Sequence, residues 1–335
     1  MNKLKNKFVI VTAFHNAENY IYENLIHSLA QDFEDLGILF VDDASTDNTK
    51  NILFSEVGNM TEFESNTAWS GKYRNKNVFY YKNQTRNFSP GLSQKVAIEK
   101  YIENTGTICG IVDGDDFLSY QRAVSYVKEV MDQGYLMYAS SPILLDENDK
   151  RKGYQLSSPF RDPYEEGSIE MREQGWRFHH FRAFSKVLSD NVDTGRSFYD
   201  PGGNLLTYAS DTAFFRPMFE MAGYEKIKVE TQKYFYKYRS EISTNDHISN
   251  PNLQNRNALF TCNAFSGVYF IDGQDEAENF ISGFRLHPNY VNDSGVNFSG
   301  MENNKSGYFV WHESCWHPDG KTGCSTPYNL LTGIL

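Results

Sequence analysis

The chain has 335 residues, of which 40% are hydrophobic, and its formal net charge is −11. This size and apolar content predict a globular protein with one large domain or two unequal ones. The acidic charge argues against binding nucleic acid through a broad basic surface. No apolar run approaches the roughly 20 residues that cross a bilayer, and the apolar start at residues 8–11 is too short for a signal peptide. Because the four cysteines also form no disulfide-like framework, we expect a cytoplasmic protein.

Strand and helix patterns alternate along the first third of the chain. The predicted strands are residues 7–12, 37–41, 77–81 and 107–112, and the predicted helices between them are residues 18–30, 50–53 and 93–104. Short connections in such an alternation imply right-handed crossovers between parallel strands. The pattern therefore predicts an α/β fold with a mostly parallel, doubly wound sheet flanked by helices.

The rest of the chain is less regular. Residues 58–76 are polar and indicate an excursion from the sheet, and residues 146–175 indicate a long loop that orders over substrate. Further helices are predicted at residues 121–133, 176–188 and 211–222, with a strand at 134–140. From about residue 249 onward the chain is irregular, aromatic and rich in Gly and Asn, without a repeat.

Three carboxylates crowd the end of the fourth predicted strand, at Asp113, Asp115 and Asp116. Carboxylates this close raise one another's pKa unless a cation or many hydrogen-bond donors keep them ionised. Hard oxygen ligands suit Mg²⁺ or Mn²⁺, which one or two carboxylates commonly hold together with phosphate oxygens. The alternative is an ordinary strand-to-loop turn with solvated aspartates, and the motif alone does not separate the two.

Polar segments follow the ends of all four predicted strands. They are residues 12–16, 42–43, 86–91 and 113–116. In open α/β sheets, ligands bind outside the carboxyl ends of the strands. Their convergence on one edge therefore predicts a nucleotide site with a bound cation.

Five segments, taken in order, resemble family 2 glycosyltransferases of the GT-A (Rossmann-like) fold, which transfer a sugar from a nucleotide diphosphate with inversion. The segments are Val9-Ile-Val-Thr-Ala-Phe-His-Asn16, Val41-Asp-Asp-Ala-Ser-Thr-Asp-Asn-Thr49, Asp113-Gly-Asp-Asp116, Ser210-Asp-Thr-Ala-Phe-Phe-Arg216 and Tyr236-Lys-Tyr-Arg-Ser-Glu-Ile-Ser243. Phe14 and His15 depart from the Pro and Tyr usual in the family. The resemblance implies a catalytic domain at residues 1–245 and an aromatic-rich C-terminal extension at 246–335 that selects the acceptor or mediates assembly.

The resemblance also assigns residues to the nucleotide. It implies that Thr12, Phe14 and Asn16 line the nucleotide, and that Arg86 and Gly91 lie along the base and phosphates. Asp43 would accept a hydrogen bond from a base N–H or a ribose hydroxyl, a task that suits a carboxylate. The alternative for Asp43 is a helix cap.

The same resemblance implies which residues bind the metal and which residue acts as the general base. Asp115 and Asp116 are the expected direct ligands of Mn²⁺ or Mg²⁺, and Asp113 helps to orient the ribose or the metal. Asp211 is the expected general base, which removes the acceptor proton on the face opposite the diphosphate. Its alternative is a cap on the helix that follows.

For several other residues the sequence allows both a functional and a structural role. The segment 176–184 resembles an acceptor-side segment in which Trp176, His179 or His180 contacts sugar, although its phenylalanines also fit a core. Arg239 pairs either with phosphate or in a structural salt bridge, and His247 either reaches the diphosphate or is solvated. Four nitrogen or sulfur donors near the C-terminal end predict a tetrahedral zinc site, although their spacing matches no standard zinc motif. They are His312, Cys315, His317 and Cys324.

The leading hypothesis is therefore a metal-dependent inverting glycosyltransferase. The family resemblance makes a UDP-sugar the default nucleotide-sugar donor and a glycan the expected acceptor. One alternative transfers the sugar to hydroxymethylated bases in DNA, against which the acidic charge counts. The other is a non-catalytic carbohydrate- or nucleotide-binding module, since fold alone does not establish activity.

Overall fold

The computed structural model describes residues 3–146, 148–159, 177–199, 205–207, 210–239, 264–268 and 310–313. The backbone divides into two compact units. The first unit contains the described residues of 3–159, 177–190 and 227–239, and the second contains those of 191–226, 264–268 and 310–313. The expected boundary between residues 245 and 246 lies outside the described residues, so that division stays a prediction.

The strands are numbered in chain order. They are β1 Phe8–Phe14, β2 Leu36–Asp42, β3 Thr61–Glu64, β4 Ala68–Tyr73, β5 Lys76–Lys82, β6 Ile108–Ile111, β7 Phe117–Leu118, β8 Met137–Ala139, β9 Ile143–Leu145, β10 Arg151–Tyr154, β11 Arg182–Ser185, β12 Ile227–Val229, β13 Tyr236–Arg239, β14 Ala264–Val268 and β15 Val310–Glu313. The helices are α1 Ile21–Leu29, α2 Thr49–Val57, α3 Pro90–Tyr101, α4 Ala123–Met131, α5 Lys186–Asp190, α6 Thr194–Ser197 and α7 Ser210–Ala222, with a 3₁₀ turn at Tyr224–Lys226.

The first unit is built on a nine-stranded sheet in the order β12-β8-β11-β6-β1-β2-β5-β4-β3. Its four central strands, β6, β1, β2 and β5, run parallel. Antiparallel pairs extend both sides, β4 and β3 on one and β11 on the other. The predicted α/β sheet flanked by helices is confirmed. Its four central strands pair in parallel, as predicted.

Central strands β1 and β2 are buried at every one of their positions. Continuous apolar runs of this kind are expected where both faces of a parallel sheet are covered. One cluster joins Phe8 and Ile10 to α4, and another joins Phe14 and Phe40 to α1. Because burying a large apolar side chain stabilises by about 1.5–3 kcal/mol, these two layers fix the strand ends that carry the site.

Three regions differ from the sequence patterns, and the first is the loop expected at residues 146–175, in which residues 151–154 form β10 paired with β9. Residues 58–76 were expected to leave the sheet, but they form β3 and β4, and the turn before β5 contains Arg74 at a φ of 54°. A positive φ in a two-residue connection matches the twist of an antiparallel hairpin. The connection therefore extends the sheet instead of leaving it.

The helix predicted at residues 176–188 is wrong where the structure describes it. Residues 182–185 form β11, which pairs antiparallel with β6 and β8, and only α5 is helical. Phe178, Phe181 and Phe184 are fully buried, as their core interpretation requires. Their three-residue spacing imitates a helix, but pairing with two strands overrides that local signal.

The second unit contains α6, α7 and a two-stranded antiparallel sheet of β14 and β15. In α7, Phe214, Phe215 and Met218 are buried, so its apolar face is covered. Within the described part of the chain, no helix is long and apolar enough to cross a membrane.

Candidate active site

Three strand ends of the first unit meet through backbone hydrogen bonds. The amide of Asp43, after β2, donates to the carbonyl of Phe14 at the end of β1, at 2.8 Å. The amide of Gly114, after β6, donates to the carbonyl of Ala13 at 3.2 Å. The polar segments that follow β1, β2 and β6 therefore form one edge, as the parallel order of these strands requires.

The three residues expected after β1 occupy different environments. Thr12 is fully buried, and its hydroxyl has no hydrogen-bond partner. The ring of Phe14 packs in the core, with its centroid 6.2 Å from that of Phe40. Asn16 is exposed at a φ of 51°, and its side-chain oxygen accepts a hydrogen bond from the amide of Thr46 at 2.9 Å. Of the three side chains, that of Asn16 is the one exposed at the edge.

The Asp43 carboxylate organises the segment that follows β5. One oxygen accepts hydrogen bonds from Asn83 Nδ2 at 2.7 Å and from the amide of Asn87 at 3.0 Å, and the other accepts from the amide of Phe88 at 3.0 Å. Helix α2 begins later, at Thr49, and Asp47 accepts hydrogen bonds from that residue. Asp43 therefore anchors the loop before α3, and the local capping contacts belong to Asp47.

The anchored loop carries Arg86 and Phe88. The Arg86 guanidinium lies 4.2 Å from the ring centroid of Phe88, and Phe88 as a residue is 51% exposed. Phe88 has a φ of 61°, which is uncommon for a bulky residue and stores backbone strain. Gly91 is buried in the first turn of α3. An exposed aromatic and a cation are thus held beside Asp43.

The acidic turn, residues 113–116, concentrates negative charge at the end of β6. Asp116 is fully buried, and its pKa is raised well above the usual range by burial and by the charges of Asp115 and Asp113. Burial also raises the pKa of Asp115, against the effects of its own amide and of Arg239. His180 Nε2 lies 3.3 Å from Asp113 Oδ2, but burial and Arg182 keep the His180 pKa well below its usual value. Burial and the charge of Arg182 thus disfavour the imidazolium form of His180, whereas the charge of Arg239 favours the ionised form of Asp115.

Side chains from α1 and β13 hold the acidic turn in place. The Tyr236 hydroxyl donates to Asp116 Oδ2 and accepts from the amide of Asp113, both at 2.9 Å. The amide of Arg239 donates to Asp116 Oδ1 at 2.8 Å, while its guanidinium pairs with Glu23 and Asp149. Arg239 thus has the structural salt bridges that were one of its two interpretations.

Asn24 holds the turn from α1, and its Nδ2 donates to the carbonyls of Asp113 and Asp116. Sequence reasoning missed both Asn24 and the hydroxyl contact of Tyr236. A signal existed for Asn24, because it is a polar residue at a core spacing of α1, three residues after Ile21 and one before Leu25. A buried polar residue is more informative than another apolar one.

The family model described as glycosyl transferase family 2 matches residues 9–193, more than half of the chain. The chain belongs to glycosyl transferase family 2. No curated protein matches it in sequence. The matched range includes the strand ends, Asp43 and the acidic turn described above, and it ends before Asp211.

Solved structures of similar architecture share little sequence with this family 2 chain. TarS residues 1–349 from S. aureus, in complex with UDP, are 20% identical with a TM-score of 0.47 over 76% of this chain. Mannosyltransferase PcManGT from Pyrobaculum calidifontis, in complex with GDP-Man and Mn²⁺, is 16% identical with a TM-score of 0.41 over 68%. The chain covers 65% and 58% of these two proteins, less than two thirds of each. The family assignment therefore rests on residues 9–193.

The donor chemistry of the acidic turn fits a hard divalent cation. Its oxygens come from carboxylates whose mutual repulsion a cation would relieve. Among the described residues, no three His, Cys, Asp or Glu side chains form a ready metal cluster, and both oxygens of Asp116 already accept protein hydrogen bonds. A site with one or two protein carboxylates is what Mg²⁺ and Mn²⁺ commonly use when phosphates supply further ligands.

Asp211 lies in the second unit, in the first turn of α7. It is partly exposed, and its Oδ1 accepts a hydrogen bond from the amide of Thr212 at 2.8 Å. A carboxylate in the first turn of a helix interacts favourably with the helix dipole. That local role is compatible with its assignment as the base, which stays a prediction.

Some of the residues singled out in the sequence are described by the structure and others are not. The amide of His179 donates to Ser157 Oγ at 3.0 Å. Trp176, His247, Cys315, His317 and Cys324 lie outside the described residues, as does the side chain of His312. The zinc hypothesis for the tail therefore stays a prediction.

Proposed function

We propose that this family 2 protein is a metal-dependent inverting glycosyltransferase, which moves a sugar from a nucleotide diphosphate sugar to an acceptor hydroxyl. The observation that carries the proposal is the meeting of the acidic turn with the ends of β1 and β2 at one edge of the sheet. That arrangement supplies oxygen ligands and nucleotide-binding groups in one place. Residues 1–245 would form the catalytic domain, and 246–335 would select the acceptor or mediate assembly.

The nucleotide would lie along the ends of β1 and β2. Asn16 would contact it with its side chain, whereas Thr12 and Phe14, whose side chains are buried, would support the strand end that lines it. Asp43 would accept from the base or ribose with its remaining lone pairs while it holds the loop with Arg86. Arg86 and the start of α3 at Gly91 would follow the base and phosphates.

Asp113, Asp115 and Asp116 would hold Mn²⁺ or Mg²⁺ in divided roles. Asp115 keeps part of its surface exposed, although desolvation of its carboxyl raises its pKa, and it suits direct coordination. Buried Asp116, fixed by Tyr236 and Arg239, sets the position of the turn. Asp113 would orient the ribose or the cation. When bound, the cation would supply Lewis-acid stabilisation of the departing diphosphate.

Asp211 would complete the displacement as general base. The acceptor oxygen forms a bond to the anomeric carbon while the bond from that carbon to the diphosphate oxygen breaks, and the acceptor proton passes to the Asp211 carboxylate. A base in this position is typically worth about a hundred- to ten-thousand-fold in rate. One in-line step inverts the anomeric configuration.

The proposed donor is a UDP-sugar, the default for the family that the motifs resemble, and the proposed acceptor is a glycan hydroxyl. A panel of nucleotide sugars with purified full-length chain, with Mn²⁺ or with a chelator, tests this directly through nucleotide diphosphate release. We expect release that depends on Mn²⁺ and a product of inverted anomeric configuration by NMR. Retained configuration would contradict the single displacement.

Substitutions at Asp211 and Asp115 distinguish the glycosyltransferase from a non-catalytic binding module. Asp211→Asn should keep binding of nucleotide sugar with Mn²⁺ but lose at least about a hundredfold in transfer, and Asp115→Asn should lose Mn²⁺ binding. Asp132→Asn, on an exposed residue that pairs with Lys128, is the matched control. Nucleotide-sugar binding without release across the whole donor panel would favour the binding module.

A further inference from the structure

Asn24 is a fully buried amide between α1 and the acidic turn. Its Nδ2 donates to the carbonyl of Asp113 and to the carbonyl of Asp116, each at 2.9 Å. The turn is itself closed by a hydrogen bond from the amide of Asp116 to the carbonyl of Asp113 at 3.1 Å. One side chain therefore fixes both ends of the turn that contains Asp115.

Stability alone is a poor reason for an amide at this position. Asn has lower helix propensity than Leu or Ala, and Asn24 lies inside α1. Its Oδ1 is buried and has no hydrogen-bond partner, which is unfavourable for a polar atom away from water. Its buried neighbours on the same face are apolar Ile21 and Leu25 and the small Ser28. What the amide supplies, and an apolar residue cannot, is the pair of donors to the turn.

Asn24 also differs in kind from the other groups that hold the turn. Tyr236 and Arg239 contact the backbone of Asp113 and Asp115, but both also donate to the carboxylate of Asp116 itself. The hydrogen bonds of Asn24 reach backbone carbonyls only, so replacing it leaves every carboxylate and its charge in place. A change at Asn24 therefore alters the geometry of the acidic groups without altering their number.

We propose that Asn24 is a positioning residue for the cation and diphosphate site, because its amide fixes the backbone from which Asp115 and Asp116 are presented. The proposal rests on the function proposed above. Groups that orient metal ligands without touching the metal typically contribute about 10- to 100-fold in affinity or activity. Because such a loss acts through metal affinity, excess metal partly overcomes it.

Gln31 supplies a matched control outside the site. It is also a buried amide near the end of α1, and its Nε2 donates to the carbonyls of His27 and Tyr120 at 3.2 and 3.1 Å. Its Oε1 also accepts from the amide of Val124 at 3.2 Å, so Gln31→Leu removes three hydrogen bonds to backbone without touching residues 113–116. Gln31→Leu should therefore lower stability at least as much as Asn24→Leu.

The experiment measures Mn²⁺ affinity of the full chain by EPR of free Mn²⁺, together with amide hydrogen exchange of the peptide that covers residues 111–118. We expect Asn24→Leu to weaken Mn²⁺ binding by about 10-fold or more and to speed exchange in that peptide, with Gln31→Leu like wild type in both. Excess Mn²⁺ should restore most of kcat in Asn24→Leu. If Asn24→Leu does not fold, Asn24→Ala replaces it in the same assays.

Equal Mn²⁺ affinity in wild type and Asn24→Leu, or equal weakening in both variants, would overturn the proposal. A wild-type protein that binds no Mn²⁺ would instead refute the metal dependence proposed for the enzyme. Hydrogen exchange then still decides the role of Asn24: faster exchange confined to Asn24→Leu supports positioning of the turn, and unchanged exchange overturns it.

Discussion

Gly114 lies so close to Phe14 that a Cβ atom on the glycine would sit 2.4 Å from Phe14 Cβ, and 3.3 Å from the carbonyl oxygen of Ala13. Contacts of 2.4 Å do not occur between real Cβ atoms, and neither neighbour is the end of a flexible side chain. The glycine of the acidic turn is therefore required by close approach to β1.

Gly114→Ala should displace the acidic turn from β1 and lower the free energy of unfolding. We expect a loss of about 1–3 kcal/mol or more from overpacking, together with reduced Mn²⁺ binding, measured by urea unfolding and metal titration. Gly106→Ala is the control, because a Cβ there meets no atom within 4 Å. Equal stability of the two variants would contradict the close approach.

Gly114 also illustrates how far sequence reasoning reached. The sequence placed the three aspartates around this glycine at the end of a predicted strand. It did not reveal that β1 lies against this glycine, because such contacts depend on the register between β1 and β6. Strand ends can be predicted from local patterns, whereas distances between strands require their pairing.

The same distinction explains Asp43 and Asn24. Asp43 was recognised as a polar group after β2, but its donors at residues 83–88 are about 40 positions away in sequence, and no local signal links them. Asn24 interrupts an apolar face, which indicates a buried partner without identifying it. The hairpin at residues 58–76 and strand β11 were missed because pairing, not composition, decides their structure.

Tyr236→Phe removes the hydroxyl that joins Asp113 to Asp116. The partly buried amide of Asp113 loses its acceptor and buried Asp116 loses a donor, so we expect the free energy of unfolding to fall by about 1–3 kcal/mol. Because the turn also loses its anchor, Mn²⁺ affinity should fall with it. Both quantities can be measured on the purified protein by urea unfolding and by EPR.

Tyr138→Phe is the control for Tyr236→Phe. Tyr138 is equally buried, and its hydroxyl donates to Glu230 at 2.9 Å, remote in sequence from the acidic turn. It should lose similar stability and keep wild-type Mn²⁺ affinity. Parallel loss of metal affinity in both variants would show that the effect of Tyr236 is general destabilisation.

Both carboxylate oxygens of Asp43 accept hydrogen bonds from protein N–H groups. Asp43→Asn replaces one of these oxygens with an NH₂ group, so a donor then faces a donor. The loop at residues 83–88 should lose its anchor, and UDP should bind about tenfold more weakly or worse, since hydrogen bonds to a charged group contribute about 1.5–3 kcal/mol. The stabilisation that UDP gives in thermal unfolding should shrink accordingly.

Asp47→Asn tests whether that loss is specific. Asp47 lies in the same connection and accepts hydrogen bonds from Thr49 and from the amide of Glu18. The variant should loosen the connection before α2 while leaving the loop at residues 83–88 anchored. If Asp47→Asn weakens UDP binding as much as Asp43→Asn, the role assigned to Asp43 is wrong.

Glu64 couples the edge strand β3 to α3 in a way that depends on pH. Its Oε2 accepts hydrogen bonds from Lys100 and from the Tyr101 hydroxyl. Burial opposes ionisation of Glu64, but these hydrogen bonds and the charge of Lys100 outweigh it and lower its pKa below the usual 4.5. Because the folded state favours the ionised form, Glu64 stabilises the fold above that value, and the stabilisation is lost as pH falls through the lowered pKa.

Glu64→Gln should therefore be less stable than wild type at pH 7, by about 1–2 kcal/mol for charge-assisted hydrogen bonds, and the difference should shrink as pH falls from 5 toward 3. Urea unfolding across this range measures it. Glu103→Gln, which breaks an exposed pair with Lys5, should change little at any pH because exposed ion pairs contribute little. A difference between wild type and Glu64→Gln that stays constant with pH would show that the contacts of Glu64 do not depend on its charge.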